Sequence, residues 1–182
     1  LYLSLTVAYT LVLKSLVLVD CLTLATLYTV RIIAGASAVS VPLSFWLLAF
    51  SVFLFLSLAL VKRYAELVVQ TRRGMSITYG RGYMVSDSSL LQTFGVASGY
   101  ISALVIALYI TSENVVDLYA KPIAIWLTLP ILLFWISWVW VKAHRGEMHD
   151  DPIVFAVKDK ASILVAGLTA AVFAYAANGM PF

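Results

Sequence analysis

Long apolar runs separated by short polar connections make up the chain, and each run predicts a helix. The first run, 1–13, is too short to span a membrane. The later runs have the length that a transmembrane helix needs. They cover 15–38, 44–67, 87–112, 122–141 and a last run that enters the membrane at 161–180. We therefore predict five full spans and one partial span.

Polar residues between the runs predict where the helices begin and end. The segment 71–86 is polar and rich in glycine, which predicts a loop. Asp87 is the expected N-cap of the fourth run. The sequence Asp150-Asp151-Pro152 is typical of a helix start, and we expect that helix to continue through 158–160 into the last span. Gly95 and Gly99 have a spacing typical of closely packed membrane helices.

Charge placement predicts an orientation for these runs. If Lys14 faces the cytoplasm, alternation of the spans puts 62–86 and 142–160 on the same side. Ten of the twelve Lys and Arg residues then lie on that side. Positive charge is enriched in the cytoplasmic connections of membrane proteins. We therefore expect this polar face to be cytoplasmic.

Composition agrees with a membrane protein of the helical type. Hydrophobic residues make up 63% of the 182 positions and charged residues 12%. The strands of a β-barrel would alternate apolar and polar residues, whereas these runs are continuous. The single cysteine, Cys21, excludes a disulfide framework and a cysteine-based metal site. We predict an all-α fold, a polytopic transmembrane helix bundle, with residues 1–182 in one domain.

The segment Lys62-Arg63-Tyr64-Ala65-Glu66-Leu67 follows eighteen uncharged residues and is expected at a membrane face. On a helix, Lys62, Glu66 and Arg63 fall at about 0°, 40° and 100°, so they share one side. Two interpretations stay open. The cluster is either a site for a polar ligand or a basic anchor at the interface with a surface Lys62–Glu66 pair.

The second run contains ionisable groups inside an apolar segment. We expect them to face the bundle interior, because a carboxylate in contact with lipid is costly. They either line a substrate cavity or bond between helices. The stripe consists of Asp20, Thr23, Tyr28 and Arg31.

The chain lacks the sequence patterns of several common sites. It has no nucleophile elbow, no phosphate-binding loop motif and no zinc-ligand spacing. His149-Asp150-Asp151 fits a solvated helix cap better than a metal cluster. What remains is a basic rim with interspersed carboxylates. Lys and Arg bind phosphate oxygens, and carboxylates hold divalent ions, so the rim suits a phosphorylated ligand.

Several segments of the chain together form a recognisable pattern. The most specific segment is 62–67. The supporting segments are Tyr9-Thr10-Leu11-Val12-Leu13-Lys14, Asp20, Arg31-Ile32-Ile33-Ala34-Gly35, Pro42-Leu43-Ser44-x-Trp46 and the stretch 145–160. These segments resemble the UbiA superfamily of intramembrane prenyltransferases, and within it they are most similar to the branch typified by decaprenyl-phosphate phosphoribosyltransferase. The resemblance covers nearly the whole chain.

The resemblance implies a bundle of nine helices, of which this chain would supply the end of the fourth through the ninth. We expect the amino-terminal helices to be missing and this fragment alone to be inactive. The family's second acidic motif is replaced here by Lys62 to Glu66, which disfavours a prenyl diphosphate donor. Its first motif, Asn-Asp-x-x-Asp, is not present in the chain. The main Mg²⁺ ligands are therefore expected in the missing part.

The implied reaction transfers a 5-phosphoribosyl group from phosphoribosyl diphosphate to a polyprenyl phosphate, with Mg²⁺ as cofactor. Glu66 and Asp20 are the catalytic candidates. The expected substrate-binding residues are Lys14, Lys62, Arg63, Tyr64, Arg81 and Tyr83. The weaker candidates for metal ligands are Asp20, Glu66, Asp151 and Asp159.

The implied partners are the membrane lipid polyprenyl phosphate and a phosphorylated sugar donor, and the implied location is the bacterial inner membrane. We expect no nucleic-acid partner, and a homo-oligomer is left open. One alternative is transfer of a prenyl chain from prenyl diphosphate to an aromatic acceptor such as 4-hydroxybenzoate. A less favoured alternative is a transporter or channel subunit that uses the stripe of the second run as a pathway.

Overall fold

The computed structural model describes residues 2–40, 43–72, 82–112, 115, 118–148 and 151–177. Over these residues the chain forms helices and no strands. The α-helices are α1 (Tyr2–Leu11), α2 (Val19–Ala38), α3 (Phe45–Arg72), α4 (Ser88–Ile110), α5 (Thr128–His144), α6 (Pro152–Lys158) and α7 (Lys160–Ala177). Short 3₁₀ segments cover Leu13–Ser15, Val85–Asp87 and Pro122–Leu127.

Five helical segments of the described chain are long and apolar enough to span a membrane, as predicted. They are Val19–Ala38, Phe45–Arg72, Val85–Ile110, Pro122–His144 and Lys160–Ala177. The shorter apolar helix α1 corresponds to the predicted partial span.

Helix α3 lies at the centre of the arrangement. It packs against α2 and α4 along its length and also contacts α5 and α6. Leu60, Val61 and Leu67 of α3 are almost fully buried in the main apolar core. With 28 residues, α3 is about 42 Å long, whereas the hydrocarbon core of a bilayer is about 30 Å thick. Its last turns therefore extend past the hydrocarbon core at one end.

Glycine allows α4 to approach its neighbours closely. A Cβ atom on Gly95 would lie 2.1 Å from Cζ2 of Trp140, and one on Gly99 would lie 2.6 Å from Cγ2 of Ile136. Ser57 of α3 donates a hydrogen bond to the Gly95 carbonyl at 2.7 Å. The predicted role of the two glycines in helix packing is confirmed.

The bundle has two distinct ends. We call the end that holds Lys62, Glu66 and Asp20 the charged end, and the opposite end the far end. At the charged end, the Gly82 amide donates to the Ser15 carbonyl at 3.2 Å. At the same end, Nη2 of Arg72 donates to the Arg145 carbonyl at 2.6 Å.

These contacts confirm that the described parts of 62–86 and 142–160 lie at the same end as Lys14. At the far end, the Lys121 amide donates to the Ala176 carbonyl at 3.1 Å. That the charged end faces the cytoplasm stays a prediction.

The predicted N-cap position of α4 is correct, since Asp87 directly precedes the first residue of the helix. The Asp87 side chain makes no capping hydrogen bond to α4; its Oδ2 accepts from the Met84 amide at 2.9 Å and closes the 3₁₀ turn before the helix. The prediction of one continuous last helix is wrong, because that helix is broken at Asp159. There, the Asp159 carboxylate accepts a hydrogen bond from the Ser162 amide at 2.8 Å and caps α7. This bond competes with the helical continuation of α6, which therefore ends at Lys158.

The predicted start of α6 is correct. Asp151 is its N-cap, with Oδ1 accepting from the Ile153 amide at 3.1 Å, and Pro152 occupies the first turn. His149 and Asp150, the other members of the weak metal cluster, lie outside the described residues.

Candidate functional site

Three consecutive residues of α3 point to three different helices at the charged end. Nζ of Lys62 lies 2.6 Å from Oδ2 of Asp151, at the start of α6. Nε of Arg63 lies 2.7 Å from Oδ2 of Asp20 on α2. The third residue, Tyr64, has its hydroxyl 2.8 Å from Nδ1 of His144 on α5. This divergence follows from the helical rotation of about 100° per residue.

Arg63 is the centre of a buried charged cluster. Its side chain is 2% exposed and that of Asp20 is fully buried. Nη1 of Arg63 donates to both carboxylate oxygens of Glu66, at 2.7 and 2.6 Å, and Nη2 reaches the Tyr9 hydroxyl at 3.4 Å. Glu66 thus pairs with Arg63 on the same helix. The anchor interpretation had assumed a pair with Lys62 instead.

Glu66 differs from its partner in exposure. Its side chain is 34% exposed at the charged end. Two hydrogen bonds from one arginine nitrogen fix its orientation. The arrangement is a part-exposed carboxylate that a buried cation holds in place.

Tyr83 completes the surroundings of Asp20. Its hydroxyl donates to Oδ1 of Asp20 and accepts from the Leu18 amide at 2.8 Å. Burial, together with the hydrogen bond to Asp20, raises the pKa of Tyr83, so the phenol stays neutral. Leu18 has a φ of +65°, a conformation that is uncommon for a branched side chain. Tyr83 therefore fixes the segment after Gly82 onto the start of α2.

The Lys62–Asp151 pair is the accessible part of the site. The two side chains are 33% and 30% exposed. Burial alone would raise the pKa of Asp151, but the hydrogen bonds from Lys62 and from the Ile153 amide outweigh it and lower the pKa. A small cavity of about 30 Å³ adjoins the pair, with Tyr28 and Phe55 in its wall.

The remaining candidates lie apart from this cluster or outside the described residues. Lys14 is exposed on the 3₁₀ segment before α2. Arg81 lies outside the described residues. Tyr64 is buried and faces α5, away from Asp20.

The predicted interior stripe of α2 holds for its first half only. Asp20 and Thr23 are buried, and Tyr28 is half-buried. Arg31 is exposed, because its guanidinium turns to the Tyr2 hydroxyl, at 2.6 Å from Nη2, and stacks 5.1 Å from the centre of the Tyr28 ring. The expectation that Arg31 faces the interior is wrong for the described part of the chain.

The carboxylates proposed as weak metal candidates do not converge. The described residues contain no group of three His, Cys, Asp or Glu side chains placed to hold a metal ion. Asp20 and Glu66 are engaged by Arg63, and Asp151 by Lys62. Asp159 accepts from Trp138 and Ser162. These four residues therefore do not fit a magnesium site.

Sequence reasoning missed two partners of the site. Tyr9 contacts Arg63, and His144 contacts Tyr64. Tyr9 begins one of the segments that carry the family resemblance, which was an available signal. His144 follows a continuous apolar run, and no feature of the sequence indicated that its side chain contacts Tyr64 of α3.

No family model matches this chain. An uncharacterized protein of Sinorhizobium fredii, y4nM, is 37% identical over 176 residues, which cover 96% of this chain and 34% of that protein. The nodulation protein NoeC of Azorhizobium caulinodans is 36% identical over 163 residues, which cover 90% of this chain and 53% of that protein. The chain thus spans about a third of one relative and about half of the other.

Proposed function

We propose that this chain is part of a UbiA-type membrane transferase, which moves a 5-phosphoribosyl group from phosphoribosyl diphosphate to a polyprenyl phosphate. An oxygen of the polyprenyl phosphate forms a bond to C1 of the ribose while the bond from C1 to the diphosphate oxygen breaks. The observation that carries the proposal is the position of a part-exposed cation, Lys62, one turn from a part-exposed and oriented carboxylate, Glu66, at the charged end.

Lys62 is the residue suited to contact phosphate oxygens. It is one-third exposed, and its present partner Asp151 is a single carboxylate that an anionic ligand displaces. A phosphate offers several oxygens to an ammonium group and makes a charge-assisted hydrogen bond with it. Lys14 and Arg81 are proposed to complete the basic rim, and the position of Arg81 is inferred from sequence alone.

Glu66 is suited to accept a hydrogen bond from a ribose hydroxyl. Arg63 is too buried to reach a soluble donor, so we assign it a positioning role, in which it orients the Glu66 carboxylate. Asp20 and Tyr83 hold Arg63 and the start of α2 in turn. This modifies the sequence-based expectation that Arg63 and Tyr83 touch the substrate and that Asp20 is catalytic.

Further parts of the proposal rest on the family resemblance. We propose that the whole protein forms a nine-helix bundle and uses Mg²⁺, whose ligands lie outside the described residues. We place it in a bacterial inner membrane with the charged end in the cytoplasm. The two relatives come from bacteria, which supports this location.

The test uses the full-length protein in membrane vesicles with labelled phosphoribosyl diphosphate and polyprenyl phosphate. We expect a labelled lipid. Lys62→Ala should lower the rate at limiting donor by roughly ten- to a hundredfold, since a charged hydrogen bond contributes about 1.5–3 kcal/mol.

Lys160→Ala, an exposed cation at the start of α7, is the matched control and should keep the rate. No labelled lipid, together with prenylation of 4-hydroxybenzoate, would overturn the proposal in favour of the aromatic-acceptor reaction. Equal rates in the two variants would remove Lys62 from the site.

A further inference from the structure

A larger cavity lies at the far end of the bundle, away from the charged cluster. It has a volume of about 430 Å³, within the range of roughly 300–1,000 Å³ that is typical of ligand sites. Four helices contribute to its wall, among them Phe50 of α3, Tyr109 of α4, Leu132 of α5 and Thr169 of α7. Phe50 is separated from Lys62 by about 18 Å along the axis of α3. The cavity is therefore distinct from the proposed active site.

The chemistry of the wall favours an apolar occupant. None of the described residues that line the cavity is charged. The Thr128 hydroxyl donates to the Ile125 carbonyl at 2.7 Å, and the Thr169 hydroxyl donates to the Val165 carbonyl at 2.9 Å. A sugar, a phosphate or an aromatic acid would lose its hydrogen bonds to water here and gain few in return.

The place of the cavity along the helices indicates from which leaflet its occupant comes. The wall is formed by the first turns of α3 and α5, the last turns of α4 and the part of α7 from Val165 to Phe173, so most of it lies in the half of the bundle at the far end. One leaflet contributes about 15 Å of hydrocarbon, half of the bilayer core. An ordinary acyl chain anchored at the charged end would stop short of most of the cavity, whereas a chain from the opposite leaflet reaches its depth.

We propose that this cavity binds one acyl chain of a phospholipid from the leaflet at the far end. An aliphatic chain fills the space between the four helices and restores the dispersion contacts that an empty cavity lacks. The site is independent of the proposed transfer reaction, because it lies in the other half of the membrane.

The test is native mass spectrometry of the full-length protein, released from bacterial membranes in a mild detergent. The wild type should retain one phospholipid. Thr169→Phe fills the cavity from α7 and should lose that lipid. Leu168→Phe is the matched control, since Leu168 is 46% exposed on the same helix and does not line the cavity, and it should keep the lipid. Leu132→Phe repeats the test from α5.

A second experiment measures thermal unfolding after palmitoyl-oleoyl phosphatidylglycerol is added to delipidated protein. The thermal midpoint should rise for the wild type and for Leu168→Phe, and stay constant for Thr169→Phe. A wild type that retains no phospholipid would overturn the proposal, as would equal retention in all variants. Retention of a polyprenyl phosphate in its place, or a loss of long but not short polyprenyl acceptors in Thr169→Phe, would assign the cavity to the acceptor and also overturn it.

Discussion

At the scale of single residues, Asp20 and Arg63 form the most deeply buried ion pair described in the chain. Removing one partner of a buried pair costs about 3–5 kcal/mol when the other charge is left without compensation. Arg63 keeps its pair with Glu66, so we expect Asp20→Asn to lower the free energy of unfolding by less, about 1–3 kcal/mol. Thermal unfolding of the full-length protein in detergent, followed by tryptophan fluorescence, measures the effect.

The control is the double variant Asp20→Asn with Arg63→Gln. It removes both charges, so part of the lost stability should return. An unchanged midpoint in Asp20→Asn, with activity abolished, would contradict the positioning role and restore the catalytic role predicted from sequence.

The lowered pKa of Asp151 predicts how acid affects the contact between α6 and α3. A carboxylate whose pKa is lower in the folded state adds stability above its unfolded pKa of about 3.9, and this stability is lost as the pH falls through the folded value. The Lys62–Asp151 contact should therefore persist at pH 5 and be lost below about pH 4. Hydrogen exchange of the α6 amides, corrected for the intrinsic rate, should show this.

In Asp151→Asn the carboxylate is absent, so the α6 amides should exchange quickly at every pH. If the α6 amides of the unmodified protein stay protected from exchange as the pH falls below about 4, the assignment of this contact to Asp151 is contradicted.

At the scale of elements, the two glycines of α4 control its distance from α5. We expect Gly95→Ala to destabilise the protein by about 1–3 kcal/mol, because the new methyl group overlaps the Trp140 ring. Gly167→Ala is the matched control, since a Cβ there meets no atom within 4 Å. Replacing this helical glycine by alanine should stabilise α7 by about 0.5–1 kcal/mol. Comparable losses in the two variants would contradict the packing account.

The five spans could be predicted from sequence because a membrane requires about 20 apolar residues in a row, and this constraint is local. The ends of the helices were less predictable. Asp87 and Asp159 are both good capping residues, but the sequence does not show which neighbouring amide each carboxylate will accept from. The break at Asp159 was missed because predominantly apolar segments, 153–157 and 161–173, lie on both sides of the charged triplet 158–160.

At the scale of the whole molecule, the predicted orientation can be tested by labelling. In a Cys21→Ser background, Met84→Cys lies at the charged end and Ile123→Cys at the far end, and the native side chains are 56% and 83% exposed. A membrane-impermeant thiol reagent applied to intact cells should label Ile123→Cys and not Met84→Cys. Both should react in broken cells. The reverse pattern in intact cells would place the charged end outside.

The membership of the candidate site was partly predictable. The helical period placed Lys62, Glu66 and Arg63 on one side of α3, whereas in the structure Lys62 and Arg63 contact different helices. Which helix each would meet depends on how α2, α5 and α6 are rotated about their own axes, and no local signal encodes this rotation. The cavity at the far end was not predicted either, since its wall comes from four distant segments that each look like ordinary apolar helix.

The burial of Asp20 has a consequence for how the protein is made. During synthesis α2 leaves the ribosome before α3 supplies Arg63, and Tyr83 follows 63 residues after Asp20. A lone carboxylate is costly inside the bilayer, so the first turn of α2 should wait at the membrane surface until both partners arrive. Insertion of this helix is thus completed by segments made later. A chain stopped after α2 should leave position 20 open to water, unlike the finished protein.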